Sequence, residues 1–115
     1  MPEQYRPWQR VRSKYDHQNL LRRGKRQYIG PLVVRSCDNH QGAARLGTAI
    51  SKRSLRRAVD RNRVKRLIRE SFRHQATQLP SVDVVISLSQ RVRLDNEQQL
   101  NAALDKTWRR LSELP

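Results

Sequence analysis

Arginine supplies most of the chemistry in this 115-residue chain. Residues 56–73, RRAVDRNRVKRLIRESFR, carry Arg56, Arg57, Arg61, Arg63, Lys65, Arg66, Arg69 and Arg73 around Asn62, and Arg53 stands just before them. A row of guanidinium groups suits phosphates, which each planar fork grips in a bidentate way. Self-repulsion makes so dense a row costly unless something anionic covers it. The same segment keeps an apolar stripe. Val64, Leu67, Ile68, Ser71, Phe72, Gln75, Ala76 and Leu79 follow the i, i+3, i+4 spacing of one helix face. One side of the helix can dock on a core while the other presents a cationic arc.

Catalytic groups are sparse. His17, His40 and His74 fall on three different predicted elements, and none has a partner at metal-ligand spacing. His74, at the end of the basic helix, suits the negative end of the helix dipole. No pair of acids stands out as a general acid and base; Asp60 and Glu70 lie within the basic helix and are expected to pair with its arginines. No glycine-rich loop is present to cradle a phosphate. Cys37 is the single cysteine, which excludes an intrachain disulfide and a cysteine-rich zinc site. In its valine-rich run it reads as a small hydrophobe. The chain offers binding chemistry, with no catalytic residue and no metal site of its own.

The partner class follows from charge. Lys and Arg number 25 against 10 Asp and Glu, giving +15 and a pI near 11.5, the range of a protein that binds a polyanion. The length supports one domain. Hydrophobic residues make up 36%, and their periodicity separates the chain from a disordered basic tail. No apolar run is long enough to span a bilayer and no signal peptide is visible, so the expectation is a cytoplasmic protein without a membrane partner.

The elements that must position the arginines can be read in outline. Residues 1–12, with two prolines and with Tyr5 and Trp8, read as a basic flexible arm. Residues 13–115 read as a single RNA-binding domain. Ser13 is a candidate N-cap for a short helix through Arg23, ended near Gly24 and contributing Leu20 and Leu21 to the core. Residues 28–37 are strand-like after a Gly30-Pro31 break, and 38–44 form a loop. In 45–51, Leu46, Thr48 and Ile50 share one face, and the expectation is that this run pairs antiparallel with 28–37. Gly47 and Ala49 leave its other face nearly bare, for a ligand lying close to the sheet or for a packed helix. Residues 52–57 are a basic connection, and the main helix ends before Pro80. Residues 82–88 form a strand with Val82, Val84, Ile86 and Leu88 on one side. Asp95 and Gln98 resemble a capping box for a last helix running to about Leu114, with Leu100, Leu104, Trp108 and Leu111 buried. Helices and strands in this order predict an α+β fold, an α/β sandwich.

Elimination narrows the polyanion. A leucine-zipper DNA reader needs heptads after its basic region, and Pro80 stops the helix too soon. A helix-turn-helix needs two helices joined by a short turn, whereas strands flank this one. Base-stacking modules lean on exposed aromatics, and only 5% of this chain is aromatic. Recognition of a folded RNA through phosphates and shape remains.

The residues also match a known family. The run Ala58-Val59-Asp60-Arg61-Asn62-Arg63-Val64-Lys65-Arg66, continued by Arg69-Glu70-Ser71-Phe72-Arg73, resembles the RNR motif of the bacterial ribonuclease P protein subunit. Arg45-Leu46-Gly47 and Ser51-Lys52 resemble the strand before that motif. Trp108-Arg109-Arg110-Leu111 is similar to the end of the C-terminal helix in the enterobacterial type. The resemblance covers most of residues 13–112. It implies an αβββαβα sandwich with a central, mostly antiparallel sheet, like the second domain of ribosomal protein S5, and a left-handed βαβ crossover where physics alone favours a right-handed one.

It also implies an accessory protein bound one to one with a catalytic RNA that removes the 5′ leader of precursor tRNA, the RNA and its Mg²⁺ doing the chemistry. By position, Arg61, Asn62, Arg63, Lys65, Arg66 and Arg69 are the implied RNA contacts. Lys52 and Arg53 match the neighbouring basic pair, and Arg56, Arg57 and Arg73 extend the same surface. The implied leader-binding residues are His17, Leu21 and Tyr28. Two segments depart from the family pattern: His17 and Leu21 stand where two phenylalanines are usual, and Leu55-Arg56-Arg57 stands where a glycine usually follows the basic pair. The alternative from a different class is a structural, ribosomal-type RNA-binding protein.

Overall fold

The computed structural model describes residues 25–39, 42–89 and 97–113. Four strands and two long helices follow in the order β1 (Lys25–Ile29), β2 (Leu32–Asp38), β3 (Arg45–Ala49), α1 (Ala58–Gln75), β4 (Val82–Leu88) and α2 (Glu97–Ser112). A 3₁₀ turn, Ala76–Gln78, closes α1 ahead of Pro80. The expected first helix, 13–23, lies outside the described residues, as do the arm 1–12, Asp95 of the expected capping box and Leu114. The α+β class is as expected, and structures of the same fold are described below.

The sheet order is β1-β2-β4-β3, antiparallel except for the parallel β3–β4 pair. This corrects the expected pairing of the second and third strands: β4 lies between them and pairs with both. The reason is burial. In β4, Val82, Asp83, Val84, Val85, Ile86 and Leu88 are all buried, and a strand apolar on both faces takes the centre of a sheet. The shorter β3, with Gly47, is left at the edge. The expected single strand 28–37 is a hairpin instead. Gly30 has φ +56° and precedes Pro31 in a two-residue connection between Ile29 and Leu32, a position where glycine adopts a positive φ without strain.

Both helices cover the face carrying Leu32, Val34, Leu46, Val82, Val84 and Ile86. α1 lies over β3, and α2 over β2 and β1. The predicted stripe of α1 is buried at Val64, Ile68 and Phe72, while Leu67 is only half-buried at its margin. The predicted stripe of α2 is buried throughout, joined by Ala103 and Thr107. The Thr107 hydroxyl donates to the Ala103 carbonyl at 2.8 Å, so its burial leaves no polar group unsatisfied. The helices run parallel. Arg63 meets Glu97 near their starts. Phe72 meets Trp108 edge-on at 5.7 Å near their ends, and the Trp108 indole donates to Ser71 Oγ at 2.6 Å. That bond explains a serine within an apolar stripe.

The opposite sheet face holds a buried ion pair. Asp83, only 4% exposed, accepts two bonds from the Arg45 guanidinium at 2.6 Å each and one from Asn39 Nδ2 at 2.9 Å. Asn39 also donates to the Ala43 carbonyl at 3.0 Å. The network ties the connection after β2 to the centre of the sheet and fixes where β3 begins. Cys37 is half-buried on this face beside Val85. The unit β3–α1–β4 is the parallel crossover, and it carries the basic segment on its helix.

Candidate nucleic-acid interface

The backbone enters α1 through a turn built on Ser51. The amides of Ser54 and Leu55 donate to the Ser51 carbonyl at 3.2 and 3.1 Å. Leu55 is buried, and anchors a loop whose Lys52, Arg53, Arg56 and Arg57 are exposed. The helix begins at Ala58, directly after the basic connection 52–57. Arg57 is its N-cap, with extended backbone and no side-chain cap. Arg56 and Arg57 therefore belong to the loop.

Arg61 ties the loop to the helix. Its guanidinium donates to the Leu55 carbonyl at 2.9 Å and to the Arg56 carbonyl at 2.8 Å. These are loop carbonyls ahead of the helix, and the arginine spans them like a brace. Arg61 is only partly exposed. Of the residues expected to contact RNA, it has the clearest structural task.

The others divide by what they touch. Arg63 forms an ion pair with Glu97 in the first turn of α2. Asn62, Arg66 and Arg69 are exposed, and Lys65 is half-buried. The Arg69 Nε donates to the Lys65 carbonyl at 3.3 Å, one turn back. Arg73 pairs with Glu70 at 2.7 Å, as expected for an acid within this helix, and an exposed pair of this kind contributes little to stability. Asp60 stands in the first turn, where a carboxylate complements the helix dipole. His74 lies in the last turn, the position expected from the dipole.

The structure thus brings Lys52, Arg53, Arg56, Arg57, Asn62, Arg66 and Arg69 onto one surface, the loop and outer face of α1. Arg63 and Arg73 lie on it with carboxylate partners. Tyr28 is elsewhere. It is 64% exposed on β1, at the opposite edge of the sheet from β3. It shares the face away from the two described helices with Val33, its register partner, and Arg26 Nη1 lies 3.4 Å from its hydroxyl. His17 and Leu21 lie outside the described residues. Neither helix packs against Gly47 and Ala49, because both helices cover the Leu46 face.

Sequence reading placed Arg61 among the RNA contacts and missed its role as a brace. The available signal was its spacing of five and six residues from the carbonyls it holds, across the junction between the connection 52–57 and the helix. Among the described residues no three His, Cys, Asp or Glu side chains form a group able to hold a metal. No described helix is long and apolar enough to cross a membrane.

A family model described as Ribonuclease P matches residues 6–112. The ribonuclease P protein component of Legionella pneumophila is 38% identical over 104 residues, covering 90% of each chain. That of Chromohalobacter salexigens is 39% identical over 106 residues, covering 91% of this chain and 83% of its own. Among solved structures, the ribonuclease P protein of Staphylococcus aureus superposes with a TM-score of 0.71 at 27% identity, over 86% of this chain and 94% of that one. The Thermotoga maritima protein, at 23% identity and a TM-score of 0.71, shares the fold over 92% of this chain and 97% of its own. With the family model spanning nearly the whole sequence and the RNR residues gathered on one helix and its loop, this chain belongs to the ribonuclease P protein family.

Proposed function

We propose that this chain is the protein subunit of a bacterial, cytoplasmic ribonuclease P ribonucleoprotein, paired one to one with a catalytic RNA and acting in the removal of 5′ leaders from precursor tRNA. The observation that carries this reading is the surface formed by the loop 52–57 and the outer face of α1. The backbone that carries its arginines is held by the fold: Leu55 anchors the loop and Arg61 braces it. A preorganised loop presents its guanidinium groups to phosphates at less ordering cost than a mobile one. The catalytic RNA is the occupant of this surface. Tyr28, on the sheet face away from the two described helices, serves the leader together with His17 and Leu21.

The chemistry belongs to the RNA with its Mg²⁺ in this reading. The protein's part is to bind both RNAs and tighten the grip on precursor relative to mature tRNA. The experiment is purification of the protein from its native host with its bound RNA, followed by a cleavage assay. The expected result is a discrete structured RNA that, with Mg²⁺, cuts precursor tRNA at the leader junction, at lower Mg²⁺ when the protein is present. Co-purification of ribosomal RNA alone contradicts the proposal.

A further inference from the structure

A second group of exposed cations lies away from the loop and α1: Lys25 and Arg26 on β1, and Lys106, Arg109 and Arg110 on α2. Topology places most of them at one edge. A Cβ built on Gly30 would lie 3.5 Å from Ala103 Cβ, so the Ala103 flank of α2 faces the β1–β2 turn. Lys106 and Arg110 follow Ala103 at i+3 and i+7, on that same flank. Glu97 and Trp108, which touch α1, occupy the other flank. Arg109 points outward from the core.

The strand contributes from below. Ile29 is in the core and pairs with Leu32. Alternation then puts Gln27 and Lys25 on the helix side of β1, and Tyr28 and Arg26 on the other side. α1 returns from the end of β3 to the start of β4, so both helices run against β4 and hence against β1. From Ala103, the path along α2 through Lys106 to Arg110 therefore follows β1 from Gly30 back toward Lys25. Among the described residues no carboxylate forms an ion pair with any of these five cations. Asp105, next to Lys106 and one turn before Arg109, and Glu113, one turn beyond Arg109, are the acids beside them on this helix.

The composition of this edge points to an unpaired strand. Tyr28 offers an exposed ring, and stacking requires bases that a duplex keeps hidden. Cations flank the ring on both sides of β1. Nothing pairs with the outer edge of β1 among the described strands. The cationic face of α1 lies over β3, at the far edge of the sheet, so the β1–α2 edge is a separate surface.

We propose that the β1–α2 edge is a second phosphate-binding surface, and that its occupant is the distal part of the single-stranded 5′ leader. The strand passes the exposed Tyr28 and Arg26, turns over β1, and meets Lys106 and Arg110. This inference rests on the proposed reading that Tyr28 serves the leader.

The test uses the reconstituted ribonucleoprotein with Lys106→Ala and Arg110→Ala combined. Precursor affinity is measured for a leader of a few nucleotides and for one several times longer, across a salt series. The long leader should bind about tenfold more weakly than to wild type, with a salt slope shallower by about 1.4, at roughly 0.7 per single-strand phosphate contact. The short leader, affinity for the catalytic RNA and the melting temperature should be unchanged. Equal losses at both lengths, weakened binding of the catalytic RNA, or no loss at all overturns the assignment of this edge to the leader. A wild-type complex that gains nothing from any leader overturns the parent reading instead, which separates the two failures.

Discussion

Arg61 and Arg66 belong to one motif and do different work. The Arg61 guanidinium is spent on the Leu55 and Arg56 carbonyls, whereas Arg66 is exposed on the outer face of the helix. Arg61→Ala should therefore cost stability, about 1–2 kcal/mol for the two lost bonds, and should weaken RNA binding indirectly by releasing Arg56 and its neighbours. Arg66→Ala should change stability by less than about 0.5 kcal/mol and still weaken RNA binding by about 1 kcal/mol or more. Thermal melts beside RNA titrations distinguish the two, and an Arg61→Ala protein that melts like wild type removes the brace from the account. Asp83 sets a harder constraint. Its buried carboxylate answers Arg45 and Asn39, and Asp83→Ala removes the carboxylate that both of them meet. That change should destabilise the fold by about 3–5 kcal/mol, read as a lower midpoint in urea. Neither role was legible in the sequence. Arg45 and Asp83 lie 38 residues apart, and only the neighbouring of β3 and β4 brings them together.

At the scale of elements, periodicity carried most of the information. The stripe on α1 and the stripe on α2 were both readable, because a helix buries one face and its spacing shows which. Sheet order was not readable. Each strand segment was visible as an apolar run, but a run does not name its neighbours, and the expected antiparallel pair of second and third strands gave way to the insertion of β4. The hint was Val85, an apolar residue on the side of β4 that a one-sided strand would leave polar. Helix margins were also blurred: Leu67 fits the stripe by spacing yet is half-buried. The consequence is measurable. Phe72, 0% exposed and stacked edge-on with Trp108, should cost about 3–5 kcal/mol when changed to Ala. Leu67→Ala should cost less than the roughly 2–5 kcal/mol of a fully buried leucine, because it leaves no closed cavity. Equal losses in denaturant unfolding would mean that Leu67 is enclosed as deeply as Phe72.

For the whole molecule the governing quantity is charge. A net +15 on 115 residues repels itself in the free protein and is relieved only by an anionic partner or by salt. The described ion pairs, Arg45–Asp83, Arg63–Glu97 and Arg73–Glu70, neutralise few of the cations. Lys52, Arg53, Arg56, Arg57, Arg66 and Arg69 are exposed to phosphates. If about six cationic side chains of the loop and α1 meet phosphates, log K for the catalytic RNA should fall against log salt with a slope of roughly −4 to −5. Arg66→Ala and Arg69→Ala should each make that slope shallower by somewhat less than about 1, since each removes one counterion-releasing contact. Phe72→Ala should leave the slope of its folded fraction unchanged, because it alters packing and removes no charge. Filter binding across a salt series reads all of these slopes. A nearly flat response in the wild-type protein would show that the cationic face is merely solvated, and the assignment of α1 to the RNA would fall with it.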